Sequence, residues 1–370
     1  MGAQPETAPA VVCRGAGIWK VEDVQVDTNL QPREVLVEVT ASGLCHTDLL
    51  FASMASAEMG SILGHEGAGR VRAVGLQVQD LSPGDVVLLS FASCTACQPC
   101  TTGHPAFCDN FNTINFAMRR LPDMTTPFST IGQPSVPLGG QYFGQSSFAR
   151  LAVVNMTSVV KVSGLLSPEE LPKFAALGCG FQTGAGAIVN IAKAVPQDTV
   201  AVYGCGGVGL AAIMAAKAIG CRQIIAIDRV PARLDMAKTV GATHTVVSSE
   251  DVVQDVKKIT GGNGTTISLD CVGRLSVIEQ ALAGTARTGA LVLIGAAPPT
   301  DVLQLPASAF MMSGKRILGC SEGDSTPSTV TGEVNAAFYV LLTIAGQPKD
   351  ILQAVEDMET GAVVKPVIQW

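Results

Sequence analysis

The sequence predicts an α/β protein in which a doubly wound parallel sheet follows a β-rich region. Up to about residue 110, short segments with alternating apolar and polar side chains are separated by turns, a pattern typical of half-buried strands. From Thr199, apolar strands alternate with helical segments of about a dozen residues, as in a parallel sheet covered on both faces. This alternation stops after Cys320. We therefore expect three regions, residues 1–180, 181–320 and 321–370, the last returning to the first.

Composition narrows the class of protein. Hydrophobic residues make up 47% of the 370 residues and charged residues 15%, which excludes a disordered chain. The net charge of −7 argues against nucleic-acid and anionic-membrane partners, since both require clustered basic residues. No apolar run approaches the length of a transmembrane helix, and the first residues do not form a secretory signal. We expect a soluble cytoplasmic protein.

Strands are predicted in the β-rich region at residues 34–43 (EVLVEVTASG), 68–75 (AGRVRAVG) and 85–91 (DVVLLSF). The Pro-Gly-Asp turn signal at 83–85 separates the last two. Residues 110–148 are rich in Gly and Pro and weakly periodic, and they predict a loop with short strands.

The second region reads strand, helix, strand, helix. Strands are predicted at 199–204, 223–229, 265–273 and 290–297, and helices at 206–220 and 231–242. Two further helices are predicted near the C-terminal end, at 334–346 and 351–361.

A glycine motif, G-x-G-x-x-G, ends the first of these strands and opens the helix that follows. That context predicts a dinucleotide site, with Gly204 making the tight turn, Gly206 admitting a pyrophosphate and Gly209 allowing the helix to pack on the strand. Gly207 and Val208 stand at the helix start. The alternative interpretation is a glycine turn that serves packing alone.

An acidic residue ends the next strand and indicates which dinucleotide binds. Asp228, 19 residues after Gly209, is placed to accept both ribose hydroxyls and would repel a 2′-phosphate, so we expect NAD(H) rather than NADP(H). Arg229 directly follows, and Arg233 lies within reach of the adenosine ribose or phosphate.

Cysteine spacing predicts metal sites. Four of the eleven cysteines lie within fifteen residues and match a closed tetrahedral zinc site: Cys94, Cys97, Cys100 and Cys108. Three further fragments offer donors for a zinc with an open position: Cys45-His46-Thr47-Asp48, Gly64-His65-Glu66 and Gly178-Cys179-Gly180. Each fragment alone is also compatible with packing.

The fragments GLCHTD, GHEGAG, CTACQPCTTGHPAFC, ALGCGFQTGAGA, VAVYGCGGVGL and VVKPV resemble those of the zinc-dependent medium-chain alcohol dehydrogenases, over nearly the whole chain. FGQSSFA and GCGFQTGAGA look most like the aryl- or benzyl-alcohol dehydrogenase branch. The resemblance implies a β-rich GroES-like catalytic domain and a Rossmann domain, two zinc ions per chain, NAD(H), a small-molecule alcohol or aldehyde substrate, and a homodimer or homotetramer.

The resemblance also implies residue roles. Cys45, His65 and Cys179 would hold the catalytic zinc. Cys94, Cys97, Cys100 and Cys108, which lie in the segment called the lobe from here on (residues 94–108), would hold the structural zinc. Glu66 matches a residue that approaches the metal, and Asp48 one that orients the zinc-bound histidine. His46 and Lys365 would face the cofactor pyrophosphate, and Thr183 the nicotinamide. Thr47 would take the proton of the alcohol, although a helix N-cap is the alternative role of its hydroxyl.

The implied reaction is hydride transfer between NAD(H) and a primary aromatic or allylic alcohol or the matching aldehyde, with zinc as Lewis acid. Leu50 stands where some members end the proton relay with histidine, so we expect proton exit through ribose or water. The segment after Cys108 lacks the basic pattern of the formaldehyde–glutathione members. Two alternatives stay open: a pathway-specific dehydrogenase of a larger metabolite, which the 5% aromatic content suits, and a redox-inactive cofactor-binding protein.

Overall fold

The structure is a computed structural model that describes residues 4–15, 18–56, 58–121, 123–327 and 345–370. These residues form two compact units. The first comprises the residues up to Cys179 together with those described after Ser325, and the second runs from Gly180 to Ser325. The predicted α/β class is confirmed, since the first unit is β-rich and the second contains a parallel sheet flanked by helices.

The strands in chain order are β1 (Glu6–Cys13), β2 (Trp19–Val26), β3 (Glu34–Gly43), β4 (Ser61–Ile62), β5 (Glu66–Val74), β6 (Val86–Leu89), β7 (Phe128–Thr130), β8 (Gln133–Leu138), β9 (Leu151–Asn155), β10 (Val159–Lys161), β11 (Thr199–Tyr203), β12 (Gln223–Asp228), β13 (His244–Val247), β14 (Thr265–Asp270), β15 (Thr285–Leu293), β16 (Arg316–Gly319), β17 (Ala345–Gly346) and β18 (Val367–Gln369). The helices are α1 (His46–Met54), α2 (Gln98–Thr101), α3 (Phe111–Phe116), α4 (Leu171–Phe174), α5 (Gly180–Gly186), α6 (Gly207–Ile219), α7 (Pro231–Val240), α8 (Val252–Ile259), α9 (Leu275–Gly284), α10 (Ala307–Ser313) and α11 (Ile351–Thr360).

The first unit contains two sheets, one in the order β4-β1-β2-β7-β8 and one in the order β10-β6-β5-β3-β18-β17. Strand β3 is central, because β5, β9 and β18 all pair with it in antiparallel fashion. Its bounds match the predicted strand, but it is buried along almost its whole length rather than on one face. Packing on both faces explains the difference, and the one charged side chain near its start, Glu34, is buried in an ion pair with Arg120.

The stretch 110–148 is more ordered than predicted. Besides β7 and β8 it contains α3, which the weak apolar periodicity did not indicate. The buried amide of Asn115 holds this helix, since it accepts from the backbone N–H of Ala92 at 2.8 Å and donates to the Ala92 carbonyl at 2.9 Å. A side-chain bond to a neighbouring strand end thus replaces the missing hydrophobic pattern.

The second unit is a six-stranded parallel sheet in the order β13-β12-β11-β14-β15-β16. Strand order reverses between β11 and β14, and in open parallel sheets ligands bind outside the carboxyl ends of the strands at such a point. The predicted strands and the helices at 206–220 and 231–242 are present as β11, β12, β14, β15, α6 and α7.

Of the two helices predicted near the C-terminal end, 351–361 is present as α11, whereas 334–346 lies mostly outside the described residues. Within the described part of the chain, no single helix has the length and apolar content needed to cross a membrane. The segments Leu171–Gly178 and Gly180–Ile191 meet that test only when they are counted together across a bend.

Two buried tyrosines make contrasting predictions for stability. The hydroxyl of Tyr203 in β11 is buried without a hydrogen-bond partner among the described residues, whereas that of Tyr142 donates to the Thr47 carbonyl at 3.3 Å. Removing an unsatisfied buried group is neutral or stabilising, and removing a paired one costs about 1 kcal/mol. We therefore expect Tyr203→Phe to maintain or raise the free energy of unfolding and Tyr142→Phe to lower it, as measured by scanning calorimetry. An equal loss in both variants would contradict this prediction.

Candidate metal centres and dinucleotide turn

The four cysteines of the lobe lie together around α2. Their sulfur atoms are all within 4.8 Å of one another. Cys94 Sγ lies 3.9 Å from Cys100 Sγ, and Cys97 Sγ lies 3.9 Å from Cys108 Sγ. These distances are too long for a disulfide bond, which joins sulfurs at about 2.05 Å.

The lobe fits a zinc ion by two independent criteria. Four thiolates at about 2.3 Å from a tetrahedral zinc lie about 3.8 Å apart, close to the separations found here. Backbone N–H groups also surround the sulfurs: Cys97 donates to Cys94 Sγ at 3.3 Å, and Asp109 to Cys97 Sγ at 3.5 Å. The N–H of Ala96 lowers the pKa of Cys94 to about 6, whereas burial raises the pKa of Cys100 to about 12 and also raises that of Cys108.

A second cluster brings together three chain segments of the first unit. One ligand atom from each of Cys45, His65, Glu66 and Cys179 lies within 4.8 Å of the others. Cys45 stands between β3 and α1, His65 and Glu66 stand at the start of β5, and Cys179 precedes α5. His65 and Glu66 are fully buried. Two thiols, an imidazole and a carboxylate form a donor set that zinc prefers.

The carboxylate of Asp48 fixes His65. Its Oδ1 lies 2.9 Å from His65 Nδ1 and accepts from the N–H of Gly64, while Oδ2 accepts from the N–H of Cys45 at 2.9 Å. His65 Nε2 is buried and makes no hydrogen bond of normal geometry with the described residues. A carboxylate on one ring nitrogen and no hydrogen-bond partner on the other is the arrangement in which a histidine is ready to bind metal.

The charges at this cluster depend on one another. Burial lowers the pKa of His65, but the adjacent Asp48 carboxylate outweighs it and the net pKa is raised. Hydrogen bonding to the Cys179 thiol holds the pKa of Cys45 well below its usual range, against the effect of burial. A thiol that ionises readily is suited to metal binding.

Lys365 lies at this cluster. That it faces the cofactor pyrophosphate stays a prediction; its described contacts are with Glu66 Oε1 at 2.7 Å and with the Leu44 carbonyl at 3.2 Å. Burial raises the pKa of Glu66 to about 7, and the Lys365 ammonium partly opposes that rise. Both side chains are buried, so each compensates the charge of the other.

Thr47 and His46 occupy the first turn of α1. Thr47 is the second helical residue and Cys45 is the N-cap, so the alternative role of Thr47 as N-cap is wrong. Its Oγ1 lies 3.8 Å from Cys45 Sγ, beside the cluster. His46 is exposed at the helix start, and Leu50 is exposed one turn later.

The glycine turn of the second unit joins β11 to α6. Gly204 has φ +93°, a conformation that only glycine adopts readily. A Cβ on Gly209 would lie 1.9 Å from the Gly204 carbonyl oxygen, whereas a Cβ on Gly206 would meet no atom within 4 Å. The turn is therefore tight at its first and third glycines and open at its second, and the backbone of Gly207 and Val208 begins the helix there.

Asp228 lies against this turn at the end of β12. Its Oδ2 accepts from the N–H of Cys205 at 2.7 Å, and its Oδ1 from that of Val230 at 2.9 Å. Burial raises the pKa of the Cys205 thiol to about 12, and the positive charge of Arg233 in α7 partly opposes that rise. Thr183 is buried in α5. The acidic residue, the glycine turn and Arg233 thus meet at the carboxyl end of the sheet.

Sequence reasoning missed two groups beside the metal cluster. Phe143 stacks on the His65 ring at 4.4 Å and contacts the rings of Phe111, Phe116 and Tyr142. Phe51 and Phe91 extend this cluster, since Phe51 packs on Phe116 and Tyr142 and Phe91 packs on Phe111. The buried carboxamide of Gln145 binds the His65 backbone. The FGQSSFA fragment contains Phe143 and Gln145, but it indicated only a resemblance and no contact.

Comparison with known proteins gives consistent matches. Residues 31–164 match the family model for the alcohol dehydrogenase GroES-like domain, and residues 207–337 that for zinc-binding dehydrogenase. A geraniol dehydrogenase from Castellaniella defragrans is 35% identical over 97% of this chain and 96% of its own, and an S-(hydroxymethyl)glutathione dehydrogenase from Synechocystis is 33% identical over 92% and 93%. The crystal structure of a benzyl alcohol dehydrogenase from Acinetobacter calcoaceticus superposes with a TM-score of 0.91 at 32% identity, covering 98% and 99% of the two chains.

Replacing one lobe cysteine tests the closed metal site. We expect Cys97→Ser to reduce bound zinc from two ions per chain to one and to lower the thermal midpoint by on the order of 10 °C, because structural zinc contributes folding free energy directly. Elemental analysis and calorimetry measure both effects. Cys221→Ser, at a buried cysteine of the second unit, is the matched control and should keep two zinc ions. Retention of both ions in Cys97→Ser would contradict the assignment.

Proposed function

The chain belongs to the zinc-type alcohol dehydrogenase family, and on that premise we propose that it transfers a hydride between NAD(H) and a primary aromatic or allylic alcohol or the corresponding aldehyde. Membership in this family establishes that the protein is an oxidoreductase of the alcohol dehydrogenase type. The choice of NAD(H), the substrate class and the residue roles form the proposal.

The observation that carries the proposal is the cluster of Cys45, His65, Glu66 and Cys179, in which all residues except the half-buried Cys45 are buried. It differs from the lobe, which is closed by four thiols. Three of its members match the ligand count of a catalytic zinc, and the fourth, Glu66, is already engaged by Lys365. A zinc ion held by those three residues would keep one coordination position for substrate.

A zinc ion held by Cys45, His65 and Cys179 would supply Lewis acidity that lowers the pKa of an alcohol, and a nicotinamide bound to the second unit would supply the hydride acceptor. The residues of the chain do the rest. Asp48 keeps His65 in the tautomer whose Nε2 faces the metal site, and Thr47 Oγ1, beside the Cys45 sulfur, accepts the hydroxyl proton of the substrate while it gives up its own hydroxyl proton. With leucine at position 50, that proton leaves through ribose or water.

Aromatic rings near His65 support an aromatic or allylic substrate. Phe51, Phe111 and Phe116 are partly exposed and pack against the rings of Tyr142 and Phe143. Planar unsaturated groups stack favourably on such surfaces, whereas ethanol is too small to use them. The names of the geraniol and benzyl alcohol relatives point to the same substrate class.

The glutathione adduct is a weaker candidate despite the relatives of that name. An anionic tripeptide requires exposed cations. Arg120, in the segment that follows the lobe, is only 4% exposed, and its guanidinium binds Glu34 at 3.0 Å and Asp27 at 2.6 Å. That arginine serves the fold, and the neighbouring Arg119 contacts the Met124 carbonyl and the Met59 sulfur.

A redox-inactive protein would bind cofactor without turnover, and a pathway-specific enzyme would reject simple alcohols. The complete set of donor residues at the cluster favours an active enzyme over the redox-inactive protein. Zinc content distinguishes the redox-inactive protein from either kind of enzyme, since an inactive relative that lost its catalytic metal would hold one ion per chain. The homo-oligomeric state and the cytoplasmic location remain predictions.

A substrate panel tests the proposed function directly. NADH absorbance is followed with benzyl alcohol, cinnamyl alcohol, geraniol, ethanol and S-(hydroxymethyl)glutathione. We expect kcat/KM for the benzylic and allylic alcohols to exceed that for ethanol by at least about 100-fold, which corresponds to about 2.7 kcal/mol of transition-state binding. Preference for the glutathione adduct would overturn the substrate class, and silence on every member with two zinc ions bound would favour a dedicated pathway substrate.

Asp228 is the test of cofactor choice. We expect Asp228→Asn to raise the ratio of kcat/KM for NADP⁺ over NAD⁺ by roughly tenfold, because it removes one negative charge near the 2′-phosphate, worth about 1.4 kcal/mol. Asparagine keeps one acceptor for the N–H of Cys205 or Val230, so the turn is preserved. Asp235→Asn, at an aspartate whose side chain is 76% exposed, is the control and should leave the ratio unchanged. An unchanged ratio in both variants would refute the ribose role.

A further inference from the structure

Gln145 is a fully buried amide whose three hydrogen bonds all go to backbone. Its Nε2 donates to the carbonyl oxygens of His65 at 2.8 Å and Ser90 at 2.9 Å, and its Oε1 accepts from the N–H of Gly67 at 3.2 Å. The side chain therefore ties the segment that carries His65 to the end of β6.

Ser90 continues this connection toward a second metal ligand. Its hydroxyl donates to the carbonyl of Gly178 at 2.7 Å, immediately before Cys179. The backbones are in close contact there, because a Cβ on Gly178 would lie 1.9 Å from the Leu89 carbonyl oxygen. A continuous set of hydrogen bonds thus runs from His65 through Gln145 and Ser90 to the residue before Cys179.

The backbone around Gln145 is held in an unusual conformation. Gln141, Phe143 and Ser146 all have positive φ, between 52° and 60°, although none is glycine. Such conformations persist where the surrounding structure determines them and are frequent at functional sites. Here the turn places the Phe143 ring on His65 and the Gln145 amide behind it.

We propose that Gln145 and Ser90 are positioning residues that set the spacing between the two metal ligands His65 and Cys179. Asp48 orients the imidazole ring of His65, whereas Gln145 and Ser90 hold the backbone on which the two ligands stand. The inference rests on the metal site of the proposed function and deepens it. Partners behind the ligands typically change metal affinity by about 10–100-fold when they are removed.

The first test is zinc release from the full-length protein loaded with two zinc ions, followed with the chromogenic chelator 4-(2-pyridylazo)resorcinol. Cys179→Ala identifies the phase that belongs to the cluster. Gln145→Met keeps the side-chain volume and removes the three bonds, and we expect that phase to become about 10–100-fold faster while the lobe phase is unchanged. With Co²⁺ in place of zinc, the visible absorption bands of the cluster should shift as well.

Gln141→Met is the matched control, since Gln141 is also buried in the same turn but donates to Glu34 Oε1 at 2.7 Å, away from the cluster. It should lower stability without changing either release phase. Equal release rates in Gln145→Met and Gln141→Met would overturn the proposal while the proposed function stands.

Ser90 provides a second, independent variant pair. Ser90→Ala should accelerate release from the cluster, and Ser90→Thr, which keeps the hydroxyl, should restore it. Wild-type release in Ser90→Ala would overturn the role of Ser90. If Cys179→Ala leaves both zinc ions and both phases unchanged, the cluster holds no metal, and the proposed function falls together with this inference.

Discussion

Two thiols, an imidazole and a carboxylate lie within 4.8 Å of one another, and all of these residues except the half-buried Cys45 are buried; this is the constraint on which the first unit depends. Groups of this kind lose hydration on burial and are stable only when a cation or hydrogen bonds replace the water. The polar neighbours of the cluster supply such hydrogen bonds and charges. Asp48 binds the side of His65 that faces away from the cluster, and Lys365 binds Glu66. A zinc ion would offset the charge of the cluster that these two contacts do not offset.

The return of the chain to β3 near residue 367 supplies a cation to this cluster. Lys365 and Glu66 are 299 residues apart, and they meet because β18 pairs with β3 while β5 pairs with the other edge of β3. A buried lysine without its carboxylate would be costly, as would Glu66 without Lys365. The C-terminal strand therefore completes the electrostatics of the cluster as well as the sheet. The glycine turn of the second unit stands on a separate hydrophobic core.

Local chemistry was predictable from the sequence, and long-range contacts were not. Cysteine spacing indicated the lobe, and the glycine pattern between a strand and a helix indicated the turn of the second unit, because both motifs are short in sequence. The bounds of β3 were predicted, but not its burial on both faces, since burial depends on strands from three other parts of the chain. The partner of Lys365, the helix α3 and the hydrogen bonds of Gln145 each depend on a residue distant in sequence. The local periodicity of apolar residues therefore could not predict them.

Aromatic content illustrates the limit of composition as an argument. The sequence contains 12 Phe, 3 Tyr and 2 Trp in 370 residues, and this low content suited the alternative of an enzyme for a larger metabolite. Six of those side chains lie in one connected cluster that begins at the ring of His65. The local density of rings in this cluster is set by α1, α3 and the turn at Phe143 rather than by the average composition of the chain. A low overall fraction is therefore compatible with a site that selects flat, unsaturated alcohols.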